Sequence, residues 1–375
     1  MARRQEQEPA RSEVVEVAPD VLRMELPIHL PGLGHVNCYA ILDDKGAAVV
    51  DPGLPGPGTW RAIQDRLRRA DLEVRHVHTV LVTHSHPDHF GGAARFAREA
   101  GAKVVAHRAF SFGPPAAAKA EEPEVSVDDL AAQQSQSSES QSPENGEDAA
   151  PEQPADRHSQ EALAVFARRK TPWGGEGPRP GWRTRIKWMA MRAFGGRIVP
   201  IISHPVEHGD VVELAGREWF VVHTPGHTGD HFCLHDPESG TFIAGDHVLP
   251  TITPHISGLA SSEDPLASYF YSLDRVAELR GVKRVLPAHG HPFDDLAART
   301  EAIKRHHYER LDKLNSLGRE LGAATVPQFS QHLFKPRSWG AMADSETYAH
   351  LEHLRIAGRA ERQVLRDGTY LYVTG

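Results

Sequence analysis

The chain has 375 residues, a formal net charge of −8, and 39% hydrophobic and 25% charged residues. This composition is that of a globular protein with room for two folded units, and the net charge argues against a surface committed to polyanions. With only two cysteines, a disulfide framework is not expected. Since no apolar run reaches the roughly 18 residues of a membrane span, and the N-terminus has no apolar signal core, we expect a cytoplasmic protein without membrane contact.

The first hundred residues alternate between short apolar runs and turns. The runs between residues 14 and 51 are separated by Gly and Pro, which predicts an antiparallel meander of strands. The pattern then predicts a helix over 59–69, a strand over 78–83, a helix over 90–100 and a strand over 103–106. This alternation of strands and helices indicates a layered α/β fold.

Two segments of opposite charge follow. Residues 121–156 hold eleven Asp or Glu and no Lys or Arg, and the stretch 113–160 around them has too few apolar residues to fold, so we expect a disordered insertion. Residues 168–197 carry nine Lys or Arg against one acid, with interleaved tryptophans. We interpret 161–197 as a substrate-side lid in which Trp182 and Arg183 contact an anionic ligand. A helix packed against the body explains its aromatic residues equally well.

A second half resembles the first in its pattern. Strands resume between residues 205 and 248, and a helix over 265–280 and a strand ending at His289 complete it. The remainder predicts three helices and a hairpin that turns at Asp367-Gly368, a pair that favours two-residue turns. We therefore expect one domain over 1–295, interrupted by the two charged segments, and a winged-helix-like α+β domain over 296–375.

Four side chains that can bind a metal lie within six residues, directly after an apolar strand. They are His84, His86, Asp88 and His89. A loop at a strand end lets a rigid scaffold present several side chains to one point, and three imidazoles with a carboxylate suit zinc or another borderline divalent ion. The sequence therefore predicts a metal centre here rather than a merely polar turn.

This loop resembles the His-x-His-x-Asp-His signature of the metallo-β-lactamase superfamily, which it matches in full. Further positions of that family's pattern occur in order and at strand ends: Asp51, His227, Asp246 and His289. The resemblance implies a four-layer αββα fold. The loop after Asp246 and the C-terminal helices are similar to those of the glyoxalase-II-like branch.

The resemblance also implies two divalent metal ions, with zinc favoured and iron or manganese as alternatives. The first ion would be bound by His84, His86 and His227. The second would be bound by Asp88, His89 and His289, with Asp246 between the two ions. Such a pair can share one hydroxide whose pKa is lowered towards neutrality. Asp88 would act as the catalytic residue that orients this bridging hydroxide, and Asp51 would accept the other N–H of a ligand imidazole.

Several functions are compatible with this fold, because function belongs to the site and not to the architecture. The glyoxalase-II-like features favour hydrolysis of a thioester, ester or lactone of a small acyl substrate. The alternative is a metal-dependent phosphodiesterase or endoribonuclease, and a non-enzymatic DNA-binding regulator is a third hypothesis. Nucleic acid is not favoured as a partner, because the helix expected near 346–361 mixes acids with bases. The redox branch of the superfamily, which has a diiron centre, typically has Glu where this chain has His86. Hydrolysis is therefore favoured over redox chemistry.

Other histidines are weaker candidates. His255 lies in the loop after Asp246, where we expect it to contact substrate, and His247 and His291 adjoin ligand positions. The histidines expected to have structural roles are His204, His208, His223, His231 and His235. The sequence predicts no oligomeric state.

Overall fold

The computed structural model describes residues 4–30, 32–112, 171–174, 198–258 and 262–375. The acidic insertion predicted at 113–160 lies outside these residues, as do Trp182, Arg183 and all of the predicted lid except 171–174. Within that short stretch Trp173 is buried, with its ring centroid 5.8 Å from that of Tyr348. Its carbonyl accepts a hydrogen bond from the backbone N–H of Tyr370 at 3.0 Å.

A seven-stranded sheet forms the first half of the fold. Its strands lie in chain order: β1 (Val14–Ala18), β2 (Val21–Leu30), β3 (Leu33–Asp43), β4 (Gly46–Val50), β5 (Val77–Val82), β6 (Lys103–His107) and β7 (His204–Val206). The first four strands pair antiparallel, which confirms the predicted meander. From β4 onward the neighbours run parallel, so the carboxyl ends of β4 and β5 meet at one edge.

Three helices cover the outer face of this sheet: α1 (Pro57–Arg69), α2 (Pro87–Phe90) and α3 (Ala93–Ala100). Apolar positions three and four residues apart give α1 one buried face, which includes Trp60, Ile63 and Leu67. The helix predicted over 90–100 is present as α3 but begins three residues later, because Gly91 and Gly92 form a turn after α2. A Cβ on Gly91 would lie 2.1 Å from the backbone nitrogen of Pro55, so glycine is required where this turn meets the loop after β4.

A five-stranded sheet forms the second half. In chain order its strands are β8 (Val211–Leu214), β9 (Arg217–His223), β10 (Phe232–Asp236), β11 (Thr241–Gly245) and β12 (Arg284–Pro287). The helix α4 (Pro265–Ala277) connects β11 to β12, which pair parallel, while the other neighbours are antiparallel.

The two sheets pack face to face, with helices outside each. One apolar core joins residues of both sheets, among them Tyr39, Leu81, Trp219 and Phe232. A second core lies between the first sheet and α1 to α3, and a third lies between the second sheet and α4. These layers confirm the predicted four-layer αββα fold.

The C-terminal residues form helices and a small sheet. Their elements are α5 (Leu296–Leu321), β13 (Ala324–Thr325), α6 (Val326–Leu333), α7 (Ala341–Ile356), β14 (Ala360–Val364) and β15 (Tyr370–Thr374). Strands β14 and β15 form the predicted hairpin, but Leu365 pairs with Thr369, so the turn holds the three residues 366–368 and not the predicted two. Leu311 of α5 and Leu354 of α7 share one core with Leu266 of α4, so these helices pack directly on the second half.

The winged-helix-like assignment and the division of the chain at residue 296 stay predictions. None of the described helices is both long and apolar enough to cross a bilayer. The cytoplasmic location also stays a prediction.

Candidate metal centre

The seven predicted metal ligands converge at one edge of the two sheets. Residues 84–89 follow β5, and His227, Asp246 and His289 follow β9, β11 and β12. In parallel neighbours the carboxyl ends of the strands lie at the same edge, which brings these loops together. The side chains form two adjacent groups whose ligand atoms lie close enough for each group to hold a metal ion.

The first group contains three imidazoles and a carboxylate. Nδ1 of His86 lies 3.0 Å from Nε2 of His84 and 3.1 Å from Nε2 of His227. Oδ2 of Asp246 lies 3.9 Å from Nε2 of His84 and 3.6 Å from Nε2 of His227. Three nitrogens and one oxygen facing a common point match the donor set and number that tetrahedral zinc takes.

The second group contains Asp88, His89 and His289. Oδ2 of Asp88 lies 3.6 Å from Nε2 of His89 and 3.6 Å from Nε2 of His289. Asp246 faces both groups: its Oδ1 lies 3.3 Å from Nε2 of His289, and its Oδ2 lies 3.5 Å from Nε2 of His89. This carboxylate is therefore placed to bridge two ions.

Buried polar atoms in this arrangement fit a metal ion. Nε2 of His89, Nε2 of His289 and Oδ1 of Asp246 are buried without a hydrogen-bond partner among the described residues. Such atoms are costly in a folded protein unless another group satisfies them. A divalent cation coordinated by all three would do so.

The pKa values of the first group favour neutral imidazoles. Burial lowers the pKa of His84, His86 and His227, and neighbouring histidines lower it further. A neutral imidazole carries the lone pair that binds a metal ion. These side chains are therefore in the protonation state that coordination requires.

The second group carries excess negative charge. Burial alone would lower the pKa of His89, but Asp88, Asp246 and Asp51 raise it well above the usual value. The pKa of His289 is raised in the same way, against burial, by Asp246 and Asp88. In the described part of the chain the ion pairs of these carboxylates are with histidines. A divalent cation at this position would balance the carboxylates in place of the protons on these two imidazoles.

Residues 31–291 match the family description "Metallo-beta-lactamase superfamily". That range covers more than half of the chain and includes both ligand groups. The chain belongs to the metallo-beta-lactamase superfamily. Divalent metal binding is typical of this superfamily, which agrees with the two groups of donors.

Two curated relatives match part of the chain. The chain is 36% identical over 121 residues to the acyl-coenzyme A thioesterase MBLAC2 of Gallus gallus. The matched region is 31% of this chain and 39% of that protein. It is 31% identical over 119 residues to the atrochrysone carboxyl ACP thioesterase AacuM of Aspergillus aculeatus, covering 31% and 35% respectively. The chain thus spans about two fifths of the length of these curated relatives.

Among solved structures, the chain is similar to a metallo-beta-lactamase family protein of Thermus thermophilus. The two superpose with a TM-score of 0.69 at 27% sequence identity, over 96% of this chain and 100% of the other. This likeness extends through the C-terminal helices and agrees with the superfamily fold.

Asp51 lies where its predicted role requires. Its Oδ2 accepts hydrogen bonds from Nδ1–H of His89 at 2.9 Å and from Oγ1 of Thr83 at 2.8 Å. Its Oδ1 accepts from the backbone N–H of Thr83 at 2.9 Å. Because Asp51 accepts from Nδ1–H of His89, a cation that displaces the proton on Nε2 would meet the Nε2 lone pair in the second group.

The three weaker histidine candidates have different surroundings. The ring of His255 contacts Glu346 and its carbonyl accepts from His227, so its predicted contact with substrate stays a prediction. His247 is fully buried, and burial lowers its pKa to about 3. His291 lies between Arg23 and Glu8.

Two supporting histidines were not predicted from the sequence. His231, expected to be only structural, accepts the backbone N–H of Asp246 on its Nε2 at 3.1 Å. The carbonyl of His35 accepts from Nδ1–H of His289 at 2.7 Å, and its ring Nε2 accepts from Gly290 N–H at 3.2 Å. His231 follows His227 by four residues, and this short spacing could have indicated that it lies near the centre. Nothing near His35 in the sequence indicates its role.

Proposed function

We propose that this chain is a metal-dependent hydrolase that uses two divalent ions, zinc first among the candidates, to cleave a thioester of a small acyl substrate. The observation that carries the proposal is the pair of ligand groups sharing Asp246. Two divalent ions held side by side lower the pKa of water and polarise a carbonyl oxygen. His84, His86 and His227 would hold one ion. Asp88, His89 and His289 would hold the other.

A cysteine nucleophile is disfavoured by burial. Cys38 and Cys233 are both buried, and burial raises the pKa of Cys233 to about 12. A buried thiol that stays protonated at neutral pH is a poor nucleophile. Hydrolysis by an activated water molecule is therefore the chemistry that these residues favour.

The preference for thioesters rests on chemistry and on the relatives. Two relatives are named as thioesterases, one for acyl-coenzyme A and one for an acyl carrier protein. A thiol leaving group has a pKa near 8.5, so it departs as the thiolate with little help from a general acid. Asp88, the carboxylate in the second group, would orient the attacking water and accept its proton. No strong acid for the leaving group is then required.

The test measures metal content and hydrolysis on the same preparation. Protein reconstituted with zinc is analysed for metal and assayed on acyl-coenzyme A, a lactone, a phosphodiester reporter and a short RNA. We expect close to two ions per chain, in keeping with the two groups, and metal-dependent release of free thiol. Cleavage of the phosphodiester or the RNA without thioester cleavage would contradict the proposed substrate class.

A matched pair of variants separates the centre from surface histidines that bind metal weakly. The double variant His84→Ala/His89→Ala should lose both ions and all activity. The control His204→Ala/His332→Ala removes two exposed imidazoles and should retain both. Metal content that is unchanged in the first variant would refute the proposed centre.

A further inference from the structure

The loop after Asp246, residues 247–258, is tied to the C-terminal helices. Arg299 of α5 donates from Nε to the carbonyl of Leu249 at 2.6 Å and from Nη2 to that of Ile252 at 2.6 Å. At the other end of the loop, Gly258 N–H donates to the carbonyl of Ser345 at 3.2 Å. Both ends of the loop are therefore fixed by α5 and α7.

Between these anchors the loop contacts a metal ligand. Nδ1–H of His227 donates to the carbonyl oxygen of His255 at 2.7 Å. This bond places the proton on Nδ1, so Nε2 of His227 turns its lone pair towards His86 and Asp246. Partners of this kind fix both the tautomer and the ring orientation of a ligand histidine.

The side chain of His255 contacts the C-terminal helices through one residue. Its Nδ1 lies 3.3 Å from Oε2 of Glu346, near the start of α7. The other oxygen of Glu346 pairs with Arg310 of α5. Burial alone would raise the pKa of Glu346, but Arg310 and His255 hold it well below its usual range, so the carboxylate is charged at neutral pH.

Two histidines, His307 and His350, lie beside Glu346, and the contacts of this group do not require a metal ion. Nδ1 of His350 donates to the carbonyl of Glu346 at 2.7 Å, and its Nε2 lies 3.0 Å from Nδ1 of His307. The side chains of His307, Glu346 and His350 lie close enough together to form a ligand set. The guanidinium of Arg310 already neutralises the carboxylate, however, and would repel a divalent cation.

We propose that Glu346 is a positioning residue for the metal centre: it fixes His255, whose carbonyl holds His227 in the orientation of a ligand. The inference rests on the proposed metal-binding role of the first group and is independent of the substrate. It gives the C-terminal helices a function at a site to which they contribute no ligand. Because partners behind a ligand typically change metal affinity by 10–100-fold, and Glu346 acts through one further residue, we expect about a tenfold effect.

The experiment compares two glutamates of the same helix in the full chain. The side chains of Glu346 and Glu352 are 13% and 9% exposed, but Glu352 pairs with Arg355 and Arg362 and accepts from the Tyr372 hydroxyl, and none of these three residues belongs to the loop. Metal-free wild type, Glu346→Ala and Glu352→Ala are titrated with zinc against a chromophoric chelator, and with cobalt(II) to record its absorption spectrum. Thermal unfolding of each metal-free protein is measured in parallel.

Glu346→Ala should weaken the binding of one of the two ions about tenfold and shift the cobalt(II) spectrum. Glu352→Ala should lower the melting temperature but leave affinity and spectrum unchanged. Glu346→Gln keeps an oxygen that accepts from His255, so it should recover most of the affinity. If Glu346→Ala does not fold, His255→Ala serves instead, because it removes the ring and keeps the carbonyl.

Equal metal affinity in Glu346→Ala and wild type would refute the inference, as would an effect no larger than that of Glu352→Ala. Full additivity of Glu346→Ala and His255→Ala would also refute it, because two residues on one path must act non-additively. These outcomes leave the proposed centre intact. A wild-type chain that binds no ion would instead refute the centre itself, and the inference with it.

Discussion

Replacing Asp51 with Asn isolates the contact behind one metal ligand. The carboxylate accepts three hydrogen bonds, one from His89 and two from Thr83, and is almost fully buried. Asn keeps one accepting oxygen but adds an NH₂ group that can only donate. Whichever way the amide turns, it directs a donor at the N–H of His89 or at a donor of Thr83. The backbone adds no penalty, because Asp51 has φ of 54° and Asn tolerates that region as well as Asp.

The size of the effect follows from this mismatch. A buried donor without an acceptor costs about 1–3 kcal/mol. His89 can avoid the cost by moving its proton to Nε2, but Nε2 then has no lone pair for the second ion. Each tenfold change in affinity is about 1.4 kcal/mol, so we expect Asp51→Asn to weaken the second ion about 10–100-fold. The first ion should be affected much less.

The assay is stepwise zinc titration of the metal-free protein against a chelator, with hydrolysis followed in parallel. Asp236→Asn is the matched control, because Asp236 is also buried and accepts from backbone N–H and hydroxyl groups, but its partners are Glu238, Ser239 and Arg217 and not residues of the two ligand groups. That variant should lose stability and keep both ions. Wild-type affinity for both ions in Asp51→Asn would refute the view that Asp51 sets the tautomer of His89.

Three further predictions concern single residues. Asp88→Asn should keep the first ion in metal analysis and lose most hydrolytic turnover, because the neutral amide is a poorer ligand and acceptor. His84→Ala should lose the first ion and retain part of the second in the same analysis. Burial raises the pKa of Asp230 to about 6 from 3.8, so its stabilising contribution is complete below pH 3.8 and is lost as the pH rises through 6. Between pH 4 and 7 the free energy of unfolding of metal-free wild type should fall by about 3 kcal/mol through Asp230, as measured by urea unfolding. In Asp230→Asn this part of the decrease should be absent.

The residues that converge at the two groups could be predicted from the sequence because their signals are local. Four of them lie within six residues directly after β5, and the others follow β9, β11 and β12. Strand ends in a layered α/β fold meet at a common edge, so order along the chain is enough to predict that they converge. Local patterns also predicted the meander and the C-terminal hairpin, whereas the four layers were implied by the resemblance to the superfamily.

The parts that were missed depend on contacts between distant segments. The split between α2 and α3 arises because Gly91 meets the loop at Pro55, a contact that helical periodicity does not record. His231 was assigned a structural role because its sequence neighbours show no convergence, yet it holds the backbone of Asp246. Burial and pairing of this kind are decided by tertiary packing and not by local pattern.

Contacts between distant segments of the chain also fix which ring nitrogen of each imidazole faces the centre. Four ligand histidines turn Nε2 towards the centre, and each has a fixed neighbour at Nδ1: the hydroxyl of Thr83 for His84, Asp51 for His89, and backbone carbonyls for His227 and His289. His86 alone faces the centre with Nδ1. The carbonyl that accepts from His289 belongs to β3 of the first sheet, whereas His289 follows β12 of the second, so the tautomer of His289 depends on the packing of the two sheets. The fold therefore prepares the donors for metal binding, and the C-terminal helices take part in that preparation through His255.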